Sequence, residues 1–155
     1  MNRKAWLLAA ALALSSGSAL SQAAPPLPRP LLSGSTSGLG WAIYAGGLRG
    51  ADLQEDGQSL RLGAPVGASV LGTRYDAARK TALLTYRVPG GLGARSALAF
   101  ATNQLQLQGF DLRERTFKDA NSASATLSRE GRKIEIQITR RDGGDLQVLY
   151  GFSKE

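Results

Sequence analysis

The sequence predicts an α+β domain, an antiparallel sheet of about five to six strands with one main helix packed on one face. Three observations carry that expectation. Thr81 to Val88 places Ala82, Leu84, Tyr86 and Val88 on one side, the alternation of a half-buried strand. Ala94, Ala97, Leu98, Ala101 and Leu105 then form a helical stripe that stops at Gly109-Phe110. Lys133 to Thr139 alternates again, with Ile134, Ile136 and Ile138 inward against Lys133, Glu135 and Gln137 outward. Such single-face alternation indicates an antiparallel sheet with one side covered and the other wet.

The chain has 155 residues and a formal net charge of +7, which fits one domain. Its amino end reads as a secretory signal peptide over residues 1–23. Arg3 and Lys4 form a basic head, Trp6 to Leu14 an apolar run, and Ser21-Gln22-Ala23 an acceptable cleavage site. The run is well short of the roughly 20 residues that cross a bilayer, so no stable membrane span is expected in the mature chain. No Cys follows it to take a lipid, and no Arg-Arg pair precedes it, so the general secretory route is expected. The location is then periplasmic, cell-surface or extracellular. Cleavage removes two cations and no acid, which lowers the charge from +7 to +5. With no cysteine in the chain, an exported domain must hold together by burial alone.

Residues 24–40 are rich in Pro, Ser and Gly and read as a linker, extended at Pro25-Pro26-Leu27-Pro28 and flexible from Ser33 to Gly38. The domain is expected over 41–155, best defined over 65–152. Trp41 to Ala45 fits a short buried strand or a turn of helix, since so short a run has no decisive period. Glu55-Asp56-Gly57-Gln58 is a turn signal, and Ser59 to Leu62 a short strand. Ser69 to Tyr75 and Thr81 to Val88 read as a hairpin across a polar connection, stopped by Pro89-Gly90-Gly91.

The helix is expected from about Ala94 to Gln108. With Gly109 at C′, Phe110 is C″ and Leu105 is C3, the hydrophobic pair of a Schellman cap. Gly93 is a mediocre N-cap. Leu112 to Lys118 and Ser122 to Ser128 follow as strands, and Glu130-Gly131 as a two-residue hairpin turn. Asp142-Gly143-Gly144-Asp145 turns the chain once more, into Leu146, Val148, Tyr150 and Phe152 on one face.

The order Pro65-x-x-Ala68-x-Val70, Tyr86-x-Val88, Gly109-Phe110, Ala125-x-Leu127 and Gly131-Arg132-x-Ile134-x-Ile136 resembles small exported bacterial sheet-plus-helix domains of unknown function. The resemblance implies a fold and a compartment, not a reaction.

The chain has no His and no Cys. This excludes Ser-His-Asp and Cys-His nucleophile systems, zinc sites of thiolate or imidazole type, and thioredoxin chemistry. No catalytic, cofactor or metal site is assigned. The alternative to a binding protein is a carboxylate-dependent hydrolase of wall glycan, which needs two facing acids. Glu55, Asp56, Asp76, Asp119, Glu130, Asp142 and Asp145 instead read as turn formers or solvated charges. Asp142 to Asp145 also lacks the ligand spacing of a calcium loop.

Two low-specificity candidates remain. Gly91, Gly93, Arg95 and Ser96 lie between a strand and a helix, where backbone N–H groups and a guanidinium can meet an anion. They match neither a dinucleotide fingerprint nor a nucleotide-binding loop. Arg79, Lys80, Arg129, Arg132, Lys133, Arg140 and Arg141 cluster at turns, a basic patch for an anionic polymer or an envelope protein if those turns share one edge. No aromatic is interleaved with them to stack on bases, so nucleic acid is not the expected partner. The resulting expectation is a secreted or periplasmic, non-catalytic binding or structural protein of the bacterial cell envelope.

Overall fold

The computed structural model describes residues 29–46, 48, 50–53 and 59–155. The expected signal peptide, the first part of the expected linker and the Glu55 to Gln58 turn lie outside these residues. Nine strands and one α-helix are described. They are β1 Leu32–Thr36, β2 Leu39–Tyr44, β3 Ser59–Gly63, β4 Ser69–Asp76, β5 Thr81–Arg87, α1 Ala94–Leu107, β6 Asp111–Asp119, β7 Ser122–Arg129, β8 Arg132–Arg140 and β9 Leu146–Lys154. A short 3-10 helix, Gly50–Leu53, precedes β3.

The α+β class holds. Six strands form one antiparallel sheet in the order β4-β5-β9-β8-β7-β6, and α1 packs across β6, β7 and β8. Register explains the sidedness. Ile134, Ile136 and Ile138 stand opposite Leu127, Ala125 and Ala123 on β7, and opposite Phe152, Tyr150 and Val148 on β9. Directly opposed residues share a face, so these apolar sets make one continuous surface. Its members are buried together with Ala97, Leu98, Ala101 and Leu105 of the helix.

The helix ends where its sequence says it should. Gly109 has φ +88, its N–H donates to the Gln106 carbonyl at 3.1 Å, and that of Phe110 donates to the Leu105 carbonyl at 3.1 Å. Both bonds of a Schellman cap are present, and Leu105 and Phe110 are both buried.

The expected linker is corrected over its second half. Leu32–Thr36 and Leu39–Tyr44 form an antiparallel hairpin, turned by Ser37 and Gly38 at φ 54 and 76. With β3, which pairs parallel to β2, they make a second sheet of three strands. What converts this Gly- and Ser-rich stretch from coil to strand is Trp41. Its ring lies over Gly34 across the hairpin, stacks on Phe152 at 5.5 Å and 9°, and meets Tyr75 at 5.2 Å. Its Nε1–H donates to Thr36 Oγ1 at 3.0 Å, and that hydroxyl shares a 2.7 Å hydrogen bond with the Tyr75 phenol. The small sheet thus covers the β4 and β9 part of the apolar face that the helix leaves open.

Candidate functional site

Strand register decides which basic turns meet. The Phe152 N–H donates to the Lys80 carbonyl at 3.0 Å, and the Glu155 N–H to the Gly131 carbonyl at 2.9 Å. The β4–β5 and β7–β8 turns therefore flank the last residues of β9. Arg79, Lys80, Arg132 and Lys133 come to one end of the sheet, and Lys154, directly opposite Arg132, joins them. Sequence reasoning missed Lys154. It stands alone in the chain, and only the β8–β9 register aligns it with a turn.

Arg140 and Arg141 do not belong to this group. Arg140 pairs with Leu146 at the start of β9, whereas Arg132 pairs with Lys154 at its finish. A strand rising about 3.3 Å per residue separates the two ends by roughly 26 Å. Arg129 sits at the basic end but is turned inward. Its guanidinium donates to the Gln108 carbonyl at the helix terminus and lies 4.7 Å over the Phe110 ring. The expected seven-residue patch is thus divided between two ends and the interior, because hairpin turns alternate between sheet ends.

Acids temper the basic end. Asp76 is 3.8 Å from Arg79, Glu135 is 3.2 Å from Lys133, and Glu130 and Glu155 are exposed nearby. Among the described residues Lys80, Arg132 and Lys154 form no ion pair. Glu130 and Glu155 lie beside them without closing an ion pair, so the end keeps a small positive excess.

The glycine-rich connection has a structural role. Gly90 and Gly91 adopt φ 81 and 86, and the Gly91 N–H closes a turn onto the Val88 carbonyl at 2.9 Å. Gly93 is the N-cap in extended geometry with no side-chain cap. Beside it is an open recess of about 330 Å³ lined by Gly93, Ala94, Arg95, Phe117, Asp119 and Ala120. Of the four expected anion contacts, Gly93 and Arg95 line it, and Gly91 and Ser96 do not. Arg95 stacks 4.1 Å over the Phe117 ring, and Asp119 adds a carboxylate to the same recess. A carboxylate near a helix start already supplies the negative charge favoured there.

Among the described residues Asp52 is buried and the other carboxylates are exposed or half-buried. Asp145 pairs with Arg87 at 2.6 Å, and Asp119 accepts the Asn121 N–H at 2.8 Å. No group of three or more His, Cys, Asp or Glu that could hold a metal is found among them. Burial raises the Tyr86 phenol to about 12, and burial together with Tyr86 raises that of Tyr150 further. Both stay protonated at neutral pH. No described helix is long and apolar enough to cross a membrane.

No known protein family, curated protein or solved structure matches this chain.

Proposed function

We propose that the chain is an exported, non-catalytic binding protein of the bacterial cell envelope, engaging an anionic surface of a polymer or protein through the basic end of its larger sheet. Export rests on the basic head, apolar run and cleavage site within residues 1–23, and on the resemblance to small exported sheet-plus-helix domains. The observation that carries the binding reading is the pair of backbone hydrogen bonds from Phe152 to Lys80 and from Glu155 to Gly131. They hold two turns and a strand end together, so that Lys80, Arg132 and Lys154 act as one positive surface.

Attraction from such a surface is screened over about 8 Å at physiological ionic strength, so binding is salt-sensitive. The test is retention on an anionic polymer column. The native chain is expected to elute later at low salt than at physiological salt. Substituting Arg132→Gln with Lys154→Gln is expected to remove most of that shift. Arg95→Gln with Arg141→Gln, an equal change in net charge away from this end, is expected to leave it. Equal loss from both pairs would reduce the effect to net charge and defeat the assignment to one end. Intact-mass measurement of the native protein tests export, since loss of about the first 23 residues is expected and a retained amino terminus in a cytosolic fraction overturns it.

A further inference from the structure

The wet face of the sheet beside the basic end carries an apolar floor. Register puts Arg74 opposite Leu83, and Leu83 opposite Leu149, so the three form one row across β4, β5 and β9. Leu83 and Leu149 form the base of a recess of about 200 Å³, whose walls are Arg74, Asp76, Arg79 and Thr81. Neighbouring outward positions on the same strands are polar: Thr81, Thr85 and Gln147. A lone surface leucine is ordinary. Two leucines directly opposed on an otherwise hydrophilic face, with cations on their open side, form a mixed site.

The charge of the rim is positive. Arg74 makes no ion pair among the described residues. Arg79 approaches Asp76 only at 3.8 Å, with its side chain 83% exposed, a contact of little strength. Lys80 follows directly in the turn. Guanidinium groups match the geometry of a carboxylate and donate two parallel hydrogen bonds to it.

We infer that this recess is a second binding surface, on the opposite face of the sheet from Arg132 and Lys154, and that it takes an acidic segment of a partner polypeptide carrying a leucine-sized apolar side chain beside its carboxylate. It goes beyond the basic-end reading, since its cations are Arg74 and Arg79 and not Arg132 or Lys154. A polysaccharide acid satisfies the arginines but gives Leu83 and Leu149 nothing to cover them. The acyl chains of an anionic lipid need more depth than this shallow recess provides. One side chain with an adjacent carboxylate uses both its floor and its rim.

The test measures fluorescence anisotropy of labelled peptides with the full chain at low and physiological salt. One peptide alternates aspartate and leucine, and a second of equal charge alternates aspartate and serine. The leucine peptide is expected to bind about tenfold tighter, the factor that partial burial of one apolar side chain supports. Leu149→Thr keeps a strand-forming residue on the wet face and is expected to erase that preference, as is Leu83→Thr. Arg74→Gln is expected to weaken both peptides. Unchanged melting temperatures exclude misfolding as the cause. Equal binding of the two peptides overturns the recess inference while leaving the basic-end reading intact. Failure of both peptides together with loss of polyanion retention overturns both readings. Stronger binding to phosphatidylglycerol vesicles than to either peptide overturns the inference in favour of a membrane surface.

Discussion

The side chain of Gln108 pairs with the backbone of Arg61 as a neighbouring strand would. Its Oε1 accepts the Arg61 N–H at 2.7 Å, and its Nε2 donates to the Arg61 carbonyl at 2.7 Å. One turn earlier, Gln104 repeats the arrangement with Gly63, at 3.3 and 3.2 Å. Four helical residues rise about 6 Å and two strand residues about 6.6 Å, so amides at i and i+4 match alternate positions of a strand edge. Helix α1 thus closes the open edge of β3 and ties the small sheet to the large one.

Gln108→Leu keeps bulk at this site but removes both hydrogen bonds that the amide makes with the Arg61 backbone. The expected loss is about 1–3 kcal/mol, the usual consequence of an unsatisfied buried polar group. Gln106→Ala, on the exposed face of the same turn, is expected to stay within about 0.5 kcal/mol of the native protein. Urea unfolding of the two variants checks the contrast. Equal losses would assign the effect to helix propensity instead.

Gly34 is irreplaceable for a different reason. A Cβ built there would stand 2.7 Å from Trp41 Cζ2, closer than real side chains approach. Gly34→Val is therefore expected to displace the indole from Phe152 and lower stability by about 1–3 kcal/mol, the range of overpacking changes. Trp41 is buried, so a red shift of tryptophan emission should accompany the loss. Unchanged emission and midpoint would show that the hairpin moves aside freely.

These two sites mark where sequence legibility ends. The Schellman terminus was readable because Leu105, Gly109 and Phe110 are adjacent and their chemistry is local. The Ile134, Ile136 and Ile138 strand was readable because its period reports one covered face. Gly34 and Ser35 carry no such signal, since their strand is held by pairing with β2 and by Trp41, whose ring stacks on Phe152 far along the chain. Gln104 and Gln108 look like solvent-facing helix residues until β3 arrives beside them. The candidate site divides likewise. Residue type identified the basic turns, but the sheet register decided that Arg132 meets Lys154 while Arg140 lies at the far end.

Alkaline pH is expected to destabilise the fold through its two buried phenols. Tyr86 ionises near 10.0 when unfolded and at about 12 when folded, and Tyr150 is shifted in the same direction. Below pH about 10 both states hold the proton, and stability is indifferent to these groups. As pH rises from 10 through 12 the unfolded chain releases protons that the folded one retains, so stability falls by about 1.4 kcal/mol per pH unit for each phenol. Urea midpoints across that window, with phenolate absorbance recorded in parallel, check the sign. Tyr86→Phe is expected to flatten the slope, and an unaltered slope would place its origin elsewhere.

Arg129 and Arg132 flank the same two-residue turn, yet their environments assign them opposite roles. Arg129 donates to the terminal carbonyl at Gln108 and covers Phe110. A cation there also meets the negative end of the helix dipole. Arg129→Gln should therefore cost about 1–3 kcal/mol of stability, in line with the loss of a charge-assisted hydrogen bond, while most polyanion retention survives. Arg132 makes no ion pair among the described residues and faces Lys154 across the strand ends. Arg132→Gln should leave the unfolding midpoint in place and shorten retention at low salt. Measuring both quantities on both variants separates the residue that builds the basic end from the one that uses it. Retention falling equally in the two would mean that Arg129 reaches the ligand, and its inward position would then have to open on binding.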